Sequence, residues 1–377
     1  MNKKSLIIWI IAIIIMVILV GAFMVYGNKS ANTAVNGKPT VKIGATLALT
    51  GNLAFLGVPA KNAMLMALAD LKKTGNLKYN YNIIFEDDKF DPTTAVTNVN
   101  KLISVDNVNA ITSFGSPAGD AVSPVTEQNK IVHLNNIASD PHVAIGDYNF
   151  VHWTPPAQEA SLLLSELKRR GLTNVVLLEA NHPGVLAVTN ALRQQLPSSG
   201  INILDIERFE PGQNDYRTVI QKAESKAPNA DIWITEALSP DLEIVVKEIK
   251  EAGIKKPLTS VEAFEFSDQP QLFEGNWFVD SADTQQWFID EYTQKYPSGP
   301  KTGTGNAYDA VKILVSAFEA TGDGKTVPTE AAVQKYMASL KGYNGAMGNN
   351  LSMNPDGIVI TQATVKMIKG GKVVNAQ

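Results

Sequence analysis

Cysteine is absent from all 377 residues. That excludes disulfides, thiolate metal sites, a cysteine nucleophile and a lipidated cysteine anchor. Only four histidines occur, His133, His142, His152 and His182, and none stands in H-E-x-x-H spacing, so no zinc or other metal site is expected. There is no excess of basic charge. The net charge of −4 gives no electrostatic footprint for nucleic acid, and none is expected as a partner. The chain also lacks a G-x-S-x-G elbow, a Walker A loop and a G-x-G-x-x-G at its first strand–helix turn, so it offers neither a nucleophile motif nor a cofactor loop. These absences point away from an enzyme and from a bound cofactor. Long uncharged apolar runs are missing too, with one exception at the start.

Lys3 and Lys4 precede an uncharged stretch from Ser5 to Gly27. Its most apolar part, Leu6 to Tyr26, would rise about 31 Å as a helix, close to the thickness of a bilayer core. Residues 1–27 therefore read as a transmembrane anchor with the lysines in the cytoplasm and the remainder exported. A cleaved signal segment is the alternative reading, with cleavage near Ala31. Residues 28–39, small and polar, read as a flexible tether. The expected location is the cell membrane, with the folded part periplasmic or extracellular, or secreted if the segment is cut.

Apolar residues make up 45% of the chain and charged ones 19%, which places the rest among globular folds, and its length suggests two domains. Strand-like and helical periods alternate from Thr40 onward. Val41 to Leu47, Tyr81 to Phe85, Ala110 to Phe114 and Ile131 to Leu134 read as strands. Helices fall between them, one opened by Asp91 as N-cap with Pro92 in its first turn. The alternation resumes after Pro156, with strands at Val175 to Leu178, Ile203 to Phe209, Ile232 to Thr235 and Pro257 to Val261. A further helix, Tyr308 to Ala320, and a late strand, Thr361 to Ile368, follow. This is an α/β chain with two successive doubly wound parallel-sheet lobes.

Ligands of such sheets bind beyond the carboxyl ends of the strands. There the sequence places Ser116 and Ser139, each just before a helix whose free N–H groups favour an anion. Together they form a candidate carboxylate cradle without Arg or Lys. Glu262 stands at the corresponding edge of the second lobe and suits an ammonium group. Leu56, Phe114 and Leu238 are candidates for an apolar side-chain pocket. Each has a plainer reading: serine before a helix is commonly only a cap, and a loop glutamate is commonly solvated. Glu86-Asp87-Asp88 reads as a solvated strand end, since it lacks the spaced ligands of a calcium loop. Thr302 to Gly305 reads as an ordinary loop, and Trp153, Trp233, Trp277 and Trp287 as core packing.

The chain resembles the type I periplasmic binding proteins of the leucine/isoleucine/valine-binding group, the substrate-binding subunits of branched-chain amino acid ABC transporters. The resemblance runs from Thr40 to Val374. It is carried by Val41-Lys42-Ile43-Gly44, Leu49-Thr50-Gly51, Glu86-Asp87-Asp88 through Asp91-Pro92, Ala307-Tyr308-Asp309-Ala310, Gly342 to Gly345 and Asn354 to Gly357. It implies that Ser116 binds the ligand carboxylate, that Ala138 and Ser139 add a backbone amide and a hydroxyl, and that Glu262 takes the α-ammonium. It also implies three crossings between lobes, near Thr154, Ala282 and Ile358. Residues 40–154 and 282–358 then form lobe one, and residues 155–281 and 359–377 lobe two. Departures fall in the side-chain pocket: Leu56, Pro183 and Leu238 stand where members carry aromatic rings, and Trp153 replaces an arginine. The function implied is capture of a small amino acid or related carboxylate for the permease subunits of an ABC importer. The alternative is a sensor ectodomain signalling through a partner protein.

Overall fold

The computed structural model describes residues 37–376. The apolar run Leu6 to Tyr26, the anchor it was read as and most of the tether lie outside these residues. Within them one helix, Ala54–Lys73, is long and apolar enough to cross a membrane. It instead buries Leu56, Ala60, Ala63, Met64 and Ala67 in the core of a lobe.

The first lobe is built as the alternating pattern dictates. Strand β1 (Thr40–Leu47) leads through the helix Ala54–Lys73 to β2 (Asn80–Asp87), and the helix Pro92–Ser104 leads to β3 (Ala110–Phe114). The helix Ser116–Asn129 then leads to β4 (Val132–Asn136), and a short 3-10 turn, Pro141–Ala144, to β5 (Asn149–His152). All pairings are parallel, in the order β2-β1-β3-β4-β5. Helices cover both faces of the sheet, so β3 and β4 are buried at every position. Asp91 caps the helix Pro92–Ser104 as its sequence predicts, accepting the Thr94 N–H at 2.7 Å.

The second lobe repeats the scheme. Strands β6 (Asn174–Ala180), β7 (Asn202–Phe209), β8 (Ile232–Glu236) and β9 (Leu258–Thr259) form a parallel sheet in the order β7-β6-β8-β9. The helices Pro156–Arg169, Pro183–Ser199, Arg217–Lys226 and Asp241–Glu251 cover it. A parallel bridge from Val261 to Val279 then extends this sheet to β10 (Trp277–Asp280). From there the pairing turns antiparallel, to β13 (Thr364–Lys369) and β14 (Lys372–Asn375). The lobe is thus parallel only in its front half. Between β10 and β13 the chain returns to the first lobe, where the helix Thr304–Thr321 packs Ala307, Val311, Leu314 and Phe318 into the same core as β1. A hairpin of β11 (Tyr343–Gly345) and β12 (Gly348–Leu351) follows.

The three crossings meet at one side chain. The Thr154 hydroxyl lies 2.7 Å from that of Thr361 and accepts the Ala282 N–H at 3.2 Å. Two local expectations fail. Asp88 is fully buried, not a solvated strand end, because Thr46 donates to it at 2.8 Å and the Phe90 N–H at 2.8 Å. Trp287 is 41% exposed, on the rim of its helix, whereas Trp153, Trp233 and Trp277 are buried.

Candidate functional site

The carboxyl ends of β3 and β4 face those of β6, β8 and β9, and the lobes stand closed on a cavity of about 40 Å³. Ser116 enters it as the first residue of its helix, after Gly115 at φ 81°. That glycine is obligatory, since a Cβ there would lie 2.5 Å from the Phe90 ring. The Ser116 Oγ accepts the Asp140 N–H at 3.1 Å, which leaves its hydroxyl hydrogen for a ligand. Ser139, on the turn after β4, donates to Glu262 Oε2 at 2.8 Å. The other carboxylate oxygen of Glu262 accepts the indole N–H of Trp153.

Of the residues expected at a site, Ser116, Ser139, Glu262, Leu56 and Leu238 line this one cavity. Phe114, Ala138 and Pro183 do not. The Phe114 ring is turned into the first-lobe core, against Gly303 at the head of the helix Thr304–Thr321. Ala138 is buried in that same core behind Ser139. Pro183 is exposed, and its chain neighbours His182 and Gly184 line the cavity instead. Ser139 and Glu262 meet directly, so the two lobes touch through their hydrogen bond.

Sequence reasoning missed Glu236, His182, Phe90, Phe266 and the polar role of Trp153. Glu236 ends β8, at the very edge where ligands bind, and that position was the available signal. Phe90 and His182 come from opposite lobes, and their rings lie within 2° of parallel at 6.2 Å. No sequence period places two such rings together.

The electrostatics are one-sided. No Lys or Arg lines the cavity, while Glu236 and Glu262 do. Burial raises both carboxyls, Glu236 well above the usual range, and for Glu262 the hydrogen bonds from Glu159, Ser139 and Trp153 only partly offset this. Glu159 lies behind Glu262 and is fully buried. Burial and then the Glu262 charge push its carboxyl well above the usual range. Burial lowers His182 to about 4, so its ring is neutral. The nearby Lys366 is already paired, with Asp280 at 2.5 Å and Glu265 at 2.9 Å. Among the described residues no cluster of three metal-ligating side chains exists. The cavity is lined by two serine hydroxyls from the first lobe, two carboxyls from the second and apolar walls.

A family model described as periplasmic binding protein matches residues 40–372. The Leu/Ile/Val/Thr-binding protein of Salmonella typhimurium is 21% identical over 222 residues, which is 57% of this chain and 60% of that relative, less than two thirds of its length. Among solved structures, the branched-chain amino acid substrate-binding protein LivJ of Streptococcus pneumoniae, in complex with isoleucine, superposes with a TM-score of 0.78. It is 20% identical and covers 90% of this chain and 99% of its own. A solute-binding protein of Rhodopseudomonas palustris in complex with benzoate also gives 0.78, at 15% identity, covering 89% of this chain and 95% of its own. At these identities the two structures establish the two-lobed fold.

Proposed function

Because the chain belongs to the periplasmic binding protein family, we propose that it is an extracytoplasmic solute-binding protein that closes on a small amino acid or related carboxylate. On this reading residues 1–27 tether it to the membrane, and the closed lobes are presented to the permease subunits of an ABC importer. It binds and releases without chemistry.

One observation carries the reading: the bond between Ser139 of one lobe and Glu262 of the other. An amino-acid zwitterion replaces that bond without loss. Its carboxylate accepts from the Ser139 hydroxyl, alongside Ser116 and the N-terminal amides of the helix Ser116–Asn129. Its ammonium donates to Glu262 in place of Ser139. A simple carboxylate satisfies the first exchange but gives Glu262 no donor in place of Ser139. Both ends of the ligand are gripped only when the lobes are together, so binding shifts the population toward closure.

The test begins with mass spectrometry of whatever small molecule the full-length, detergent-solubilised protein retains, followed by calorimetry with it. Ser116→Ala combined with Ser139→Ala is expected to weaken binding about tenfold or more, the worth of one charge-assisted hydrogen bond, with the unfolding transition intact. Glu262→Gln is expected to hurt an amino acid more than its des-amino analogue. Unchanged affinity in the double variant removes the cradle from the mechanism.

A further inference from the structure

Glu236 is 2% exposed and lines the cavity from the end of β8. One carboxyl oxygen accepts the Val261 N–H at 2.5 Å, and the other has no donor among the described residues. The charged groups about it give no relief. Glu262 is acidic, and Glu179 on β6 is already held by Arg193 and Arg208, each at 2.7 Å. Glu159 is acidic as well, and His182 across the cavity is neutral. Its second oxygen keeps what little accessible surface the side chain has, at the cavity it lines, and a ligand that covers it without donating leaves it unpaired, which is costly. Two residues further along the same loop, Leu238 also lines the cavity and packs against the first-lobe core. Glu236 therefore belongs to the wall that meets the ligand's side chain.

We propose that Glu236 is a second polar ligand contact, and that the cleft takes an amino acid whose short side chain carries a hydrogen-bond donor, an ammonium or hydroxyl, in preference to a branched aliphatic one. This rests on the amino-acid reading above. A purely structural role, tying β8 to Val261, predicts no such preference, and a glutamine oxygen would serve that role equally well.

The test is calorimetry on the full-length protein in detergent with two isosteric pairs, 2,4-diaminobutanoate against norvaline and threonine against valine. In each pair the donor-bearing member is expected to bind about tenfold or more tighter, since a site with a buried polar group rejects the analogue that leaves it unpaired. Glu236→Leu is expected to abolish or reverse that preference. Glu236→Gln is expected to keep the wild-type melting temperature while losing the preference for the diamine. If norvaline and valine bind the wild type as tightly as their partners, the proposal is overturned and the amino-acid reading stands. If none of the four binds and the retained ligand has no amine, both fall together.

Discussion

Phe90, Ile137 and Glu262 hold φ of 63°, 60° and 64°, and all three line the cavity. A β-branched or bulky residue in that region is strained, and such strain collects where a site over-determines the backbone. Phe90 is kept there partly by Asp88, whose Oδ1 accepts its N–H at 2.8 Å. Burial raises the Asp88 carboxyl to about 6. The acid is therefore held neutral in the folded state below that pH, and ionises near 3.8 when unfolded. Its contribution to stability is full below about pH 4, is lost as pH rises to about 6, and stays lost above. Asp88→Asn does not titrate. It is expected to match the wild type at pH 4 and to exceed it by about 2 kcal/mol at pH 8 in urea unfolding. An equal difference at both pH values would refute this. At this scale Ser116, Ser139 and Glu262 were legible because a residue's place before a helix or after a strand is a local property. Glu236 carried the same strand-end signal and was passed over, whereas Trp153 and His182 carried none, because their partners come from distant elements.

Among the elements, the parallel strands and the helices between them could be read from apolar runs and caps. The antiparallel pairing of β10 with β13 could not. It joins segments about 90 residues apart, and neither strand announces its direction. The turn between lobes is set as much by what is missing as by what is present. Gly184, in the first turn of the helix Pro183–Ser199, lies so close to Ser116 of the other lobe that a Cβ there would stand 2.9 Å from the serine oxygen. Its contact exists only when the lobes are shut. Gly184→Ala is expected to weaken ligand binding several-fold by raising the closed state, and to leave unfolding of the lobes unchanged. X-ray scattering should show a larger radius of gyration for this variant. Wild-type scattering and affinity would show that the helix accommodates the methyl group.

For the molecule as a whole, three chain segments distant in sequence come together at the Thr154 hydroxyl. Thr154→Val removes its bonds to Thr361 and Ala282 and leaves two buried polar groups unpaired. It is expected to cost about 1–3 kcal/mol in denaturant unfolding. A cost near zero would mean that the crossings hold without it. The two-lobe organisation was visible in the repeating alternation, and its interleaving came only with the family resemblance, since no local pattern tells a chain when to return. The Ser139–Glu262 bond carries a further consequence. A trap that can latch itself shut has the outline of a loaded one while holding nothing. On the importer reading proposed above, a permease that judged occupancy by outline alone would be engaged by empty molecules, and transport would slow as the unloaded fraction grew.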